Sequence, residues 1–130
     1  MEGFTNMRKS RITYDVAQFH TRMLLKYDGK PRLLEEDIMQ SRIRHLQEEL
    51  NELHAAHIYD KGMPEQLDAI VDLVYVAVGT AYLMGLDFDE AWTRVHNANM
   101  QKVPQATERS KIDVVKPEGW VAPDLKDLCQ

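Results

Sequence analysis

The chain has 130 residues and a net charge of −5, and 44% of its residues are hydrophobic. This length and composition suffice for a buried core, so we expect residues 1–130 to form one domain with a tail from about residue 104. The acidic balance argues against nucleic acid or an anionic membrane as a partner. The single cysteine, Cys129, excludes an intrachain disulfide and any multi-cysteine zinc site.

The N-terminal and apolar segments predict a soluble, cytoplasmic protein. The first residues, MEGFTNMRKSR, have no apolar run after their basic residues and do not resemble a secretory signal. Asp68 and Asp72 interrupt the longest apolar segment, which is then too short for the roughly 18 apolar residues of a membrane span. The lone cysteine fits a reducing compartment.

Helical spacing of apolar residues predicts two helices in the first half of the chain. The first is expected to be capped by Thr13 or Asp15 and to carry apolar residues as far as Leu24. The second spans about residues 37–59 and presents glutamates at the edge of its apolar stripe.

Two further helices are predicted before the tail. The third runs over 65–84 and is closed by Gly85, and the short turn before it makes helices two and three antiparallel neighbours. Asp87 and Glu90 give a capping-box-like start to the fourth helix. After residue 103 we expect an extended tail anchored by Trp120 on the bundle or on a partner subunit.

Helix three is apolar on more than one side, which is too much surface to hide in a four-helix monomer of this size. The sequence therefore predicts an all-α four-helix bundle that forms a homodimer or homotetramer. The apolar positions are Leu67, Ile70, Val71, Val74, Val76, Ala77, Val78 and Ala81.

Five acids fall into two clusters: Glu48, Glu49 and Glu52 in helix two, and Asp68 and Asp72 in helix three. Residues three or four apart project from the same side of a helix, so each cluster can converge on one ion. An unpaired buried carboxylate is unfavourable, and acids in an otherwise apolar helix are expected to be paired or to hold a metal. Oxygen ligands favour Mg²⁺ or Mn²⁺, and Mg²⁺ often shares its coordination with substrate phosphates.

These residues also allow simpler interpretations. The glutamate-rich stretch is typical of a solvated helix face, although this does not account for the acids in helix three. His54 and His57 are three apart, but no cysteine or HExxH pattern supports them as ligands. Glu-x-x-His pairs, GxGxxG, the Walker loop and GxSxG are absent from the sequence.

Basic and amide side chains gather near the end of helix four. Lys102 and Asn99, with Arg94 and Asn97 nearby, can hold a phosphate chain or a base. A lysine near a helix C-terminus equally complements the helix dipole. Both interpretations remain open at this point.

The acidic pattern resembles that of the all-α nucleoside triphosphate pyrophosphohydrolases, the MazG-like superfamily that also includes dimeric dUTPases and phosphoribosyl-ATP pyrophosphohydrolase. The family pattern is EExxE followed on the next helix by ExxD. Glu48, Glu49 and Glu52 match the first part, and Asp72 resembles the final Asp. The expected Glu three residues before Asp72 is replaced by Ala69, beside Asp68.

A literal ExxD also occurs one turn earlier, formed by Glu65 and Asp68. Both registers include Asp68, which we take as the fourth ligand. The strings VHNANMQKV and KPEGW are similar to a MazG-like branch found in bacteria and phages. The resemblance therefore extends from about Val16 to the end of the chain.

The resemblance implies hydrolysis of a (deoxy)nucleoside triphosphate to the monophosphate and pyrophosphate. The metals would be held by Glu49, Glu52, Asp68 and Asp72, offsetting the polyphosphate charge and lowering the pKa of an attacking water. Glu48 would be a further ligand or the general base. The resemblance also assigns substrate contacts to Asn99 and Lys102.

Two alternatives to nucleoside triphosphate hydrolysis are consistent with the sequence. One is phosphoribosyl-ATP hydrolysis, which a stand-alone chain allows although the tail strings favour the MazG-like branch. The other is a non-catalytic helical oligomer whose acids bind divalent ions structurally. Such a protein would bind metal without forming a product.

Overall fold

The computed structural model describes residues 9–130, and the N-terminal segment that we expect not to be a signal lies mostly outside them. The described residues are mainly helical, as predicted for an all-α protein. The only strands in this part of the chain form a two-stranded antiparallel sheet. The elements are α1 (Arg11–Arg22), α2 (Glu36–Ile58), α3 (Met63–Leu83), α4 (Phe88–Asn99), β1 (Val103–Gln105), β2 (Asp113–Val115) and a 3₁₀ helix (Lys126–Cys129).

Helix α1 begins earlier and ends earlier than predicted. Ser10 is the N-cap, and its Oγ accepts a hydrogen bond from the backbone N–H of Thr13 at 3.1 Å. The prediction of a cap at Thr13 or Asp15 was wrong because Ser10 satisfies a free N–H of the first turn. The helix ends at Arg22, and Leu24 has a φ of 62° that is incompatible with a continuing helix.

Helices α2 and α3 are antiparallel neighbours, as predicted from the short turn between them. Contacts run in opposite directions along the two helices, with Arg42 beside Thr80 and Glu49 close to Asp72. Gly85, with a φ of 70°, follows α3 as expected for a residue that ends a helix. Small buried residues in this α2–α3 pair are Ala56, Ala69 and Gly79.

Helix α1 packs on α3 through a small aromatic core. Val16 and His20 are buried, and the His20 ring lies 4.7 Å from the ring of Tyr82. His20 Nδ1 donates to the carbonyl of Val16 at 2.8 Å, and the Tyr82 hydroxyl accepts from the backbone N–H of Tyr27 at 2.8 Å. These bonds satisfy polar groups that burial would otherwise leave without water.

Several apolar side chains of α3 are exposed in the single chain, in agreement with the surplus apolar surface predicted from the sequence. Leu67 is 61% exposed, and Ile70, Val71 and Val74 are also exposed. By length and composition alone, α3 is the one helix within residues 9–130 that could cross a membrane. A single helix of this kind is weak evidence for a membrane span, and Asp72 within α3 lies beside acids of α2.

Two compact units divide the chain, one ending at Phe88 and the other formed by Asp89–Gln130. The second unit holds most of α4 and the tail. Trp120 Nε1 donates to the carbonyl of Ala98 at 2.7 Å, which confirms that this tryptophan anchors the tail on a helix. The tail also forms the hairpin of β1 and β2, with Val103 paired to Val115, where no strand was predicted.

Candidate metal centre

Three carboxylates from two helices converge in the first unit. Glu49 and Glu52 lie three residues apart on α2, and Asp72 faces them from α3. Each offers one oxygen, and the three oxygens all lie within 4.8 Å of one another. This carboxylate cluster was predicted from the sequence, because acids at helical spacing on neighbouring helices can meet.

Glu49 is the buried member of the cluster, only 9% exposed. Burial is the main cause that raises its pKa above the ordinary value. A hydrogen bond with Glu52, which requires one of the two carboxyls to hold a proton, raises the pKa further, as do the charges of Glu52 and Asp72. His45, whose Nε2 lies 3.5 Å from Glu49 Oε1, acts in the opposite direction.

The second oxygen of Glu49 has no hydrogen-bond partner. Oε2 is buried, and it is the only such side-chain oxygen or nitrogen among residues 9–130. A buried, unsatisfied carboxylate oxygen next to two further carboxylates is unfavourable without a compensating cation. The residues therefore fit a divalent metal, and three oxygen ligands match the preference of Mg²⁺ or Mn²⁺.

The other acids predicted as possible site residues do not lie in this carboxylate cluster. Glu48, Glu65 and Asp68 are exposed, and none of them belongs to the group of three. Asp68 lies one helical turn before Asp72 on α3. The expectation that both aspartates sit in a buried helix is therefore correct only in part, since Asp72 alone is half-buried.

The predicted substrate contacts belong to the second unit. Asn99 is exposed, and its backbone carbonyl accepts from the N–H of Lys102 at 3.0 Å. Lys102 Nζ lies 5.2 Å from the centre of the Trp120 ring, and Lys116 Nζ lies 5.0 Å from it. These distances indicate cation–π contacts. The contact of Lys116 was not predicted from the sequence.

His45, a further neighbour of the carboxylate cluster, was not predicted from the sequence. His45 precedes Glu49 by four residues, and this spacing alone was a signal, because such pairs face each other on a helix. His54 and His57, which we considered as ligands, are exposed. Within the described residues, neither belongs to a group of three possible metal ligands.

A comparison with known families gives one match. The profile of the phosphoribosyl-ATP pyrophosphohydrolase family matches residues 16–99, which is more than half of the chain. That family lies within the superfamily indicated by the acidic motif, and the matched range contains all three converging carboxylates. No curated protein matches the chain. The chain belongs to the phosphoribosyl-ATP pyrophosphohydrolase family.

Proposed function

We propose that this protein is a divalent-metal-dependent pyrophosphohydrolase that cleaves a nucleotide 5′-triphosphate between its α and β phosphates. The observation that carries the proposal is the meeting of Glu49, Glu52 and Asp72 around the unsatisfied Glu49 Oε2. Membership of a pyrophosphohydrolase family supports the same chemistry. A triphosphate and three carboxylates repel one another, so a cation between them is needed for binding.

Glu49, Glu52 and Asp72 would hold the metal, with Asp68 as the proposed fourth ligand one turn away. A divalent cation bound there offsets the charge of the polyphosphate and acts as a Lewis acid. Glu48 lies on α2 directly before Glu49, and its carboxylate is exposed to solvent. In this proposal Glu48 is the general base that takes the proton of the attacking water.

Two nucleotides are candidates for the substrate. The family match favours phosphoribosyl-ATP, whose hydrolysis would give phosphoribosyl-AMP and pyrophosphate. The second candidate is a nucleoside or deoxynucleoside triphosphate, favoured by the string KPEGW at 116–120, which lies outside the matched range. Asn99 and Lys102 are proposed to contact the phosphate or base of either substrate.

We infer that the active form is a homodimer or homotetramer. Met63, Leu67, Ile70 and Val74 are spaced four, three and four residues apart, so they form one apolar stripe along α3. All four are exposed in the single chain, and Met63 is 82% exposed. A second copy of the chain would cover this α3 stripe.

The experiment is a substrate screen with product identification. Phosphoribosyl-ATP and the common NTPs and dNTPs are incubated separately with Mg²⁺ or Mn²⁺, and the products are separated by ion-exchange chromatography. Pyrophosphate together with a monophosphate is the expected result for one of these nucleotides. Metal binding without any product would instead favour the structural metal-binding oligomer.

A further inference from the structure

A half-buried cation lies in the same helix pair as the carboxylate cluster. Arg42 precedes Glu49 by seven residues on α2, which places it on nearly the same face, about 10 Å along the helix axis. Its Nε donates to Thr80 Oγ1 at 3.0 Å, and its Nη2 donates to the carbonyl of Val76 at 2.9 Å. Arg42 is thus held against α3, one to two turns after Asp72.

Gly79 gives the guanidinium its space against α3. A Cβ at position 79 would lie 2.8 Å from Arg42 Nη2 and 2.9 Å from His20 Cε1. The added carbon would displace the guanidinium of Arg42. The His20 ring is buried and cannot move aside. The sequence therefore combines a glycine in α3 with an arginine in α2 to fix this cation.

Neither hydrogen-bond acceptor of Arg42 carries a charge. Within residues 9–130, no carboxylate forms an ion pair with Arg42, and burial lowers the pKa of its guanidinium. The two hydrogen bonds use two of the five N–H donors that a guanidinium offers. A half-buried cation with free donors and no anion is suited to an anionic ligand.

Charge is unevenly distributed on the two sides of the carboxylate cluster. Toward the start of α2 lie Arg42 and the imidazole of His45, and α3 carries no charged residue from Leu73 to Leu83. In the other direction lie Glu65 and the proposed ligand Asp68 of α3, with the exposed Lys61 in the turn between the helices. Arg42 is half-buried and therefore less screened by water than Lys61, so a polyphosphate held at the cluster is attracted toward Arg42.

We propose that Arg42 binds the terminal phosphates of the substrate, the part that leaves as pyrophosphate. This inference rests on the proposed function, since it takes the carboxylate cluster as the place where the metal meets the triphosphate. A guanidinium donates paired N–H groups to phosphate oxygens, and Arg42 lies about 10 Å along the helix axis from Glu49, on the side away from Asp68. The nucleoside then lies toward the Asp68 end of the α2–α3 pair.

Inorganic pyrophosphate with Mg²⁺ is the probe, and its binding is measured by isothermal titration calorimetry. Arg42→Gln should bind pyrophosphate roughly tenfold or more weakly than the wild type, because a charge-assisted contact is lost. The pyrophosphate affinity of Arg42→Lys should lie between those of Arg42→Gln and the wild type. Arg44→Gln removes the same charge from an exposed neighbour and should stay within about twofold of the wild type. Equal affinities for Arg42→Gln and the wild type would overturn the inference.

A structural role alone would lower the melting temperature of Arg42→Gln without changing its pyrophosphate affinity. If Arg42→Gln does not fold, the wild type supplies the test by NMR. The Arg42 Nε–Hε resonance, identified by its absence in Arg42→Lys, should shift on addition of Mg²⁺ and pyrophosphate, and an unmoved resonance would refute the contact.

The same binding data separate this inference from the proposed function. Arg42-dependent pyrophosphate binding without hydrolysis of any nucleotide would contradict the function alone. Hydrolysis of a nucleotide, together with a pyrophosphate affinity that is the same with and without Arg42, would contradict this inference alone.

Discussion

Glu49 of α2 and Asp72 of α3 bring carboxylate oxygens within 4.8 Å of each other across the contact of two antiparallel helices. Glu49 is buried there, and one of its oxygens has no hydrogen-bond partner. This arrangement is unfavourable for folding unless a cation neutralises it, since like charges in a poorly solvated place repel. We therefore expect the stability of the fold to depend on pH and on metal binding through this pair.

The first prediction concerns the pH dependence of the metal-free protein. The pKa of Glu49 is raised in the folded state, so the folded protein binds its proton more tightly than the unfolded chain does. The stabilising contribution is complete below the ordinary glutamate pKa and is lost as pH rises through the raised pKa. Glu49→Gln should remove this dependence and leave the melting temperature at neutral pH unchanged or higher.

Thermal unfolding in EDTA over a pH series measures this effect. Glu48→Gln, which alters the exposed neighbouring glutamate, is the matched control and should keep the wild-type pH profile. A marked loss of stability at neutral pH in Glu49→Gln, with none in Glu48→Gln, would show that Glu49 is held by a favourable partner instead.

The second prediction is that Mg²⁺ or Mn²⁺ is obligatory for activity and stabilises the fold. An ion that binds only the folded state raises the melting temperature as its concentration increases. Pyrophosphate release should stop in excess EDTA and return when Mg²⁺ is added. Full turnover in EDTA would contradict the assignment of the cluster to a metal.

The third prediction identifies the fourth ligand. Asp68→Asn should fold normally yet lower metal affinity and activity roughly tenfold or more, the scale expected for disturbing a metal shell. Glu65→Gln should do much less, and Asp72→Asn should be at least as damaging as Asp68→Asn, because Asp72 belongs to the observed cluster. A fully active Asp68→Asn beside a nearly inactive Glu65→Gln would show that the other carboxylate is the ligand.

The fourth prediction concerns assembly through the α3 stripe. Sedimentation velocity at micromolar concentration should detect a dimer or tetramer, and Leu67→Lys should shift the population toward monomer, since a charge cannot be buried in an apolar contact without a partner. Leu33→Lys is the control, because Leu33 is 88% exposed and lies outside the stripe. A wild-type monomer with undiminished activity would be inconsistent with an active oligomer.

The sequence was sufficient to predict the helical class and the approach of three carboxylates from two helices, because both depend on periodic patterns. Glu49, Glu52 and Asp72 occupy helical spacings on adjacent helices, and the short turn between α2 and α3 makes them meet. The exposure of Asp68 was less predictable. Asp68 and Asp72 share one side of α3, so their different exposure depends on how neighbouring segments pack along the helix, which local sequence patterns do not show.

Other features lacked a periodic signal. β1 and β2 have three residues each, too few for an alternating pattern to stand out. The hydrogen-bond partners of Arg42 are the side chain of Thr80 and a backbone carbonyl, which the residue types alone do not predict. The exposed stripe on α3 was correctly anticipated as surplus apolar surface, while its oligomeric partner remains a prediction.

The most direct test of the central claim is a Mn²⁺ titration followed in parallel by electron paramagnetic resonance and by pyrophosphate release from the best nucleotide substrate. The wild type should bind Mn²⁺ and release pyrophosphate with the same midpoint, and Asp72→Asn should lose both together. Wild-type Mn²⁺ binding and turnover in Asp72→Asn would contradict the claim that the cluster of Glu49, Glu52 and Asp72 is the catalytic metal centre.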